Sequence, residues 1–458
     1  MGWFLNLVYC GLLLLFSPVI MFRAIWQGKY RLGWSEKFLG RVATRTSTGP
    51  AIWLHAVSVG EVLVLRTILP RLREAIPGCE FWISTTTQTG HAVSIEKYPD
   101  CRVIYFPLDF TWAVRNAMAR VKPSLIVLVE LELWPNFIRE AAAQSIPLVL
   151  INGRMSEKSF RGYLRIRWLM LGLWRGFARI AVQTEEYRRR LEQLGAPPER
   201  LIVTGSTKYD GLETDRQNAR TAEIRSGFGL RDDETVFMAG STQSPEESLA
   251  IDTYLSLRER DPALRLVLVP RHQERFDEVA ALVESRGLQL LRRSRIKADR
   301  LIGEGEAPAE PRSSINGLPS LPAQRELRPP SPPILLLDTL GELGAAWGLA
   351  DIAFVGGSLT PRGGQNMIEP AAYAAAVLFG PNTGNFRQVV ELLLSEQAAC
   401  VVHSPEELTR VVSEFLDNPS LATQLGETAQ RLVLFQQGAT ARTVELIVDA
   451  LHSDQLRG

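Results

Sequence analysis

The sequence predicts an α/β protein built from two doubly wound domains, and three observations carry that prediction. Its 458 residues are about three times a typical domain length. Short aliphatic runs alternate with longer helical patterns along most of the chain, as strands buried on both faces of parallel sheets require. These runs form two series joined near 212–228, so one domain is expected on each side of that joint.

The composition agrees. With 46% hydrophobic, 22% charged and 8% aromatic residues, the chain is not wholly disordered, collagen-like or a polytopic membrane protein. Cys10, Cys79, Cys101 and Cys400 show no C-x-x-C spacing, which argues against a disulfide framework or structural zinc and fits a reducing compartment. The net charge of +1 hides an asymmetry: residues 1–212 carry 27 Lys+Arg against 16 Asp+Glu, and 213–458 carry 24 against 34. A basic half suits nucleic acid, an anionic membrane or an anionic substrate. The N-terminal sequence selects the membrane.

Residues 1–22 (MGWFLNLVYCGLLLLFSPVIMF) carry no charge and just reach the roughly 20 apolar residues that cross a bilayer. The cations Arg23, Lys29, Arg31, Lys37 and Arg41 all follow this run, the reverse of a cleavable signal peptide, and the positive-inside rule leaves the bulk of the chain cytoplasmic. Residues 1–45 are therefore expected to be a retained apolar anchor with a basic juxtamembrane segment. The alternative is a buried first helix, because Asn6 and Pro18 interrupt the run. A second segment, 161–179 (RGYLRIRWLMLGLWRGFAR), reads equally well as an interfacial element or as a core helix whose arginines reach back to solvent. Whether its arginines share one exposed face decides between them.

The first series of strands is expected at 51–55, 80–84, 102–106, 125–129, 148–151, 180–183 and 201–204, giving a domain over 46–212. The second is expected at 236–239, 264–269, 334–337, 352–355, 376–378 and 399–402, giving a domain over 213–458. Residues 303–333 hold eight of the 27 prolines without apolar periodicity, and read as a disordered insertion outside the chemistry.

Several strand ends carry residues suited to chemistry. In HAVSVGE, Gly60 turns the chain and Glu61 opens a helix at the carboxyl end of a strand, the ligand edge of an open α/β sheet, where the helix dipole favours the charged carboxylate. Glu61 can thus take a proton from a hydroxyl, or serve only as a first-turn anion. In ELELWPN, Glu130 and Glu132 share a side if the strand persists; they are either functional or hold Asn136 or a nearby arginine. Lys208 in TGSTKYD ends another strand of the same edge, or is a solvated loop lysine. In the second domain Arg271 follows Pro270, Gly341 and Glu342 lie in DTLGELGAAW, and Arg362, Asn366 and Glu369 lie in GGSLTPRGGQNMIEP. A glycine-rich loop entering a helix offers free N–H groups to a phosphate, and Glu369 can take ribose hydroxyls. The spacing fits neither a P-loop nor a dinucleotide fingerprint, and the five histidines are too scattered to suggest a metal cluster.

Together HAVSVGE, ELELWPN, TGSTKYD, LVPRH, LGELGAAWGLADIAFVGGSL and RGGQNMIEP resemble, in order and over nearly the whole chain, the 3-deoxy-D-manno-octulosonic acid (Kdo) transferases of lipopolysaccharide synthesis. The resemblance implies a GT-B fold of two Rossmann-like domains facing a cleft. It implies inverting transfer of Kdo from CMP-Kdo to a lipid A precursor, without metal, cofactor or nucleic acid, at the cytoplasmic leaflet of the inner membrane. Glu61 is then the general base, and Glu130 and Lys208 stabilise the transition state. CMP would contact Pro270 and Arg271, Leu340, Gly341 and Glu342, and Asn366, Met367, Ile368 and Glu369. Leu340 stands where the family often has Met, and Met367 and Ile368 replace a Pro-Leu pair. Two other readings stay open: a GT-B enzyme for another nucleotide sugar, and a non-catalytic membrane-surface scaffold.

Overall fold

The computed structural model of the chain describes residues 2–26, 32–296 and 332–455. The chain divides into two compact units, Met1–Gly211 with Gln436–Gly458, and Leu212–Phe435. In the first, β1 (Ala51–His55), β2 (Glu80–Thr85), β3 (Arg102–Tyr105), β4 (Leu125–Val129), β5 (Leu148–Gly153), β6 (Arg179–Val182) and β7 (Leu201–Val203) form one sheet in the order β3-β2-β1-β4-β5-β6-β7. All its pairings are parallel. Side chains alternate between the faces with period two: Trp53, Ile126, Leu128 and Leu150 enter one core, while Ile52, Leu54, Val127 and Val149 enter the other. Both faces are thus buried, which is why these strands read as unbroken apolar runs.

The second unit repeats the plan with β8 (Thr235–Thr242), β9 (Leu264–Pro270), β10 (Leu290–Arg292), β11 (Ile334–Leu336), β12 (Ile352–Val355), β13 (Ala376–Phe379) and β14 (Cys400–Val401), in the order β10-β11-β9-β8-β12-β13-β14. Strand order reverses between β1 and β4 and between β8 and β12, the switch points at which open α/β sheets bind ligands. The expected strands are all present within a few residues. The sequence does not announce β10, three half-buried residues including Arg292. It pairs in parallel with β11, so 290–292 and 334–336 are neighbours although 297–331 separate them. The expected Pro-rich insertion at 303–333 lies outside the described residues except for its last two positions.

One boundary needs correction. The second domain does not extend to 458, because the helix Ala439–Gln455 packs on the first unit. Leu446, Ile447, Ala450 and Leu451 join the core that holds Val62, Leu65 and Leu69 of the helix Val59–Ala75. The Asp210 carboxylate fixes the entry to the C-terminal helix by accepting the Gly438 and Thr440 N–H groups at 2.7 and 2.5 Å.

The N-terminal helix runs from Gly2 to Trp26 through Pro18. It is not a buried first helix: Trp3, Leu7, Leu14, Leu15, Phe16 and Phe22 are exposed, and among its described side chains only Leu5 and Asn6 are buried. Asn6, an interruption by composition, is a tether. Its amide donates to the Thr111 hydroxyl at 2.8 Å and its carbonyl accepts the Thr111 N–H at 3.2 Å, while the Tyr9 hydroxyl donates to Asp109 at 2.9 Å. In segment 161–179 the core reading holds for one set of side chains, and another set is exposed. Met170, Leu173, Trp174 and Phe177 are in the core, whereas Leu164, Ile166 and Trp168 are exposed, as are Arg161, Arg165, Arg167 and Arg175.

Candidate active site

The first unit gathers its chemistry at the carboxyl ends of β1, β4 and β5. Ser58 caps the helix Val59–Ala75 and accepts the Glu61 N–H, which sets Glu61 in the first turn directly after β1. Glu61 is 8% exposed. Its carboxylate accepts the Val57 N–H at 2.6 Å and the Ser58 hydroxyl at 2.9 Å, so it does serve as a first-turn anion. The favour that the helix end is expected to give the charged form is opposed here. Burial raises its pKa and Glu130 adds to the rise, outweighing the bonds to Val57 and Ser58. A carboxyl lifted in this way is a better proton acceptor than an exposed one.

Glu130 and Glu132 do not share a strand face, because β4 ends at Val129 and Glu130 turns the chain at φ 64°. They are near one another and near Glu61 nonetheless. Burial, then Glu61, then Glu130 push Glu132 up to about 7. Glu130 accepts Arg154 Nη2 at 2.7 Å, and this is the nearby arginine of the structural alternative. Asn136 is held instead by Asp109, whose carboxylate accepts its N–H at 3.0 Å and whose backbone carbonyl accepts its amide at 2.5 Å. Lys208 lies on the short helix Thr207–Tyr209. Its side chain reaches solvent, yet crowding by protein and the repulsion of Arg154 lower its pKa against the pull of Glu130. Glu61, Glu130, Glu132, Arg154 and Lys208 therefore form one electrostatically coupled cluster. Arg154 is the member that sequence reasoning missed; its place just after β5 was the available signal. His55 is buried, donates through Nδ1–H to the Ser84 carbonyl at 3.1 Å, and stacks on Phe106 at 3.7 Å. Burial pulls its pKa down to about 3, so it is neutral.

In the second unit Pro270 ends β9 and Arg271 is exposed beyond it, its N–H bonded to Thr242 O at 3.0 Å. Leu340 is exposed and Gly341 has φ 80°, a conformation natural to glycine. The Glu342 carboxylate is engaged by the buried Arg293 at 3.0 Å and by the Thr339 hydroxyl. Asn366 donates to Glu369 at 3.0 Å and accepts the Ile368 N–H at 3.1 Å. The Met367 and Ile368 side chains are buried, so only their main chain can meet a ligand.

The glycine-rich loop is not wholly the open phosphate cradle expected from the sequence. The carboxylate of Glu246 accepts the N–H groups of Gly357, Ser358 and Leu359 at 2.6, 3.0 and 3.0 Å. That half of the loop is already satisfied. In the other half the N–H groups of Arg362 and Gly364 are also taken, by Thr360 O and Gly357 O at 2.7 and 2.8 Å. Among the described residues no group of three or more His, Cys, Asp or Glu is arranged to hold a metal.

A family model described as 3-deoxy-D-manno-octulosonic-acid transferase (kdotransferase) matches residues 29–211. The 3-deoxy-D-manno-octulosonic acid transferase of Haemophilus influenzae is 30% identical over 447 residues, covering 96% of this chain and 97% of that one. The chain belongs to the 3-deoxy-D-manno-octulosonic acid transferase family. The Kdo transferase of Bordetella pertussis is 31% identical over 440 residues, 93% of each chain. A solved glycosyltransferase from Rickettsia africae has a TM-score of 0.50 at 12% identity, covering 88% of this chain and 99% of that one, a likeness of fold alone. Two seven-stranded parallel units are the GT-B plan of glycosyltransferases. Within the cluster the two cations, Arg154 and Lys208, stand beside Glu130.

Proposed function

We propose that this enzyme transfers Kdo from CMP-Kdo to a lipid A precursor with inversion at the anomeric carbon. The observation that carries the reading is the convergence of Glu61, Glu130 and Lys208, from three distant motifs, into one coupled cluster at the β1/β4 switch point. The acceptor hydroxyl oxygen bonds to the anomeric carbon as the bond from that carbon to the CMP phosphate breaks. The electron pair leaves with CMP, and the hydroxyl proton passes to Glu61. Lys208 and Arg154, balanced by Glu130, offset negative charge in the transition state. Arg271 supplies a cation for the CMP phosphate, the main chain of 340–342 and 366–368 reads the nucleotide, and Glu369 takes ribose hydroxyls.

The reaction is assigned to the cytoplasmic face of the inner membrane. The exposed apolar helix Gly2–Trp26 and the cations Lys37 and Arg41 beyond it support this placement. The tethers from Asn6 and Tyr9 to the folded unit favour a helix lying along one leaflet over one that spans the bilayer. The test is transfer from CMP-Kdo to lipid IVA by the purified full chain, with UDP-sugars as rival donors. Labelled lipid from CMP-Kdo alone supports the reading. Transfer from a UDP-sugar favours another nucleotide sugar, and no transfer from any donor favours the scaffold.

A further inference from the structure

The N-terminal helix does not lie flat on the first unit. Leu12, Leu13 and Phe16 face Leu108, Phe110 and Trp134 across a hollow of about 250 Å³. That volume is below the roughly 300–1,000 Å³ of sites for whole small molecules. We propose that this hollow receives one acyl chain of the lipid acceptor, an inference that rests on the function proposed above.

Four features argue for that occupant. The lining is hydrocarbon and aromatic, and its polar pair, Tyr9 and Asp109, bond each other at 2.9 Å, so water entering it finds few partners. The hollow is also built before any lipid arrives. Asn6 ties the helix to Thr111 and Asn136, and Asp109 receives the Asn136 and Phe137 N–H groups at 3.0 and 2.8 Å; a preformed site spares the cost of ordering. Its inner wall belongs to the reacting region, because Trp134 follows Glu130 and Glu132 in ELELWPN and packs on Phe106, the ring that covers His55 at the end of β1. An acceptor whose hydroxyl reaches Glu61 must lead its tails away, and this channel starts beside that cluster. From Tyr9 to Phe16 it follows the helix for about 10 Å at 1.5 Å per residue. It ends where Phe16, Val19 and Phe22 are exposed, a continuous apolar route toward a lipid leaflet.

The experiment uses the full chain in detergent micelles, so that attachment to a bilayer does not enter. Leu13→Trp and Leu108→Trp fill the hollow from opposite walls. Each should raise KM for lipid IVA at least about tenfold, the effect of a lost methylene contact in an apolar pocket, and leave kcat, KM for CMP-Kdo and transfer to the de-acylated phosphodisaccharide unchanged. Unchanged KM for lipid IVA, or an equal rise for both acceptors, overturns the proposal. A lipid IVA carrying a diazirine in one acyl chain provides a second readout in the wild-type protein that needs neither turnover nor the variants. Labelling confined to Leu12, Leu13, Phe16, Leu108 and Phe110, resolved residue by residue, supports the site. Labelling spread to the outward Leu14 and Leu15, or displaced by excess phospholipid, assigns the hollow to bulk lipid and overturns it. Absence of sugar transfer to either acceptor by the wild type would sink the proposed function while the labelling pattern still reads the hollow.

Discussion

Glu246 holds Gly357 in place: the fully buried carboxylate accepts the Gly357 N–H at 2.6 Å, across 111 positions of sequence. The same carboxylate takes the N–H groups of Ser358, Leu359 and Gln243. The strand end of β12 and the loop after it are thus shaped by an internal anion. Glu246→Ala leaves these donors unsatisfied, at roughly 1–3 kcal/mol for each that water cannot reach. It should destabilise the second unit by about 3 kcal/mol or more, read from the urea midpoint. A midpoint like that of the wild type would show that the loop keeps its shape without Glu246.

Donor binding is predicted to depend on few side chains. Arg271→Ala and Glu369→Ala should each weaken CMP binding measured by calorimetry. Ile368→Val should not, because that side chain is buried and a small apolar change preserves the main chain. Unchanged affinity in both of the first two variants would put the nucleotide elsewhere.

Stability should fall as pH rises through the titration of Glu132. Its carboxyl is lifted from 4.5 to about 7 by burial, Glu61 and Glu130, so between these values the folded state binds more protons than the unfolded state and each rise in pH favours unfolding. Glu132→Gln removes that dependence. Its Tm should exceed that of the wild type increasingly from pH 5 to pH 8, and a difference constant over that range would contradict the coupling.

The core strands are legible because burial on both faces leaves unbroken aliphatic runs, as at Ala51–His55 and Leu125–Val129. Strand β10 is not, since three half-buried residues ending in Arg292 carry no pattern. The helix Ala439–Gln455 is legible as an element but not in its place, because an apolar stripe does not say which core it meets. Glu61 could be read from a strand followed by a turn and a helix start. Its partners could not: Arg154 meets Glu130 across 24 positions and Glu246 meets its loop across more than a hundred, and such pairings follow from tertiary folding.

Removing residues 1–22 should yield a protein that keeps CMP affinity but acts more slowly on acceptor in vesicles. Its residual membrane binding should fall steeply with salt, since the remaining attraction is between exposed charges screened over about 8 Å at physiological ionic strength. Sedimentation with vesicles at high salt checks this. Binding that persists there would assign attachment to the exposed face of Leu164, Ile166 and Trp168.

The most direct test of the account compares wild type with Glu61→Gln for transfer of labelled Kdo from CMP-Kdo to lipid IVA, with CMP affinity measured on the same preparations. The account predicts equal CMP affinity and a turnover at least about a hundredfold lower in the variant, the effect of losing a general base. Glu61→Gln turning over at nearly the wild-type rate would contradict it.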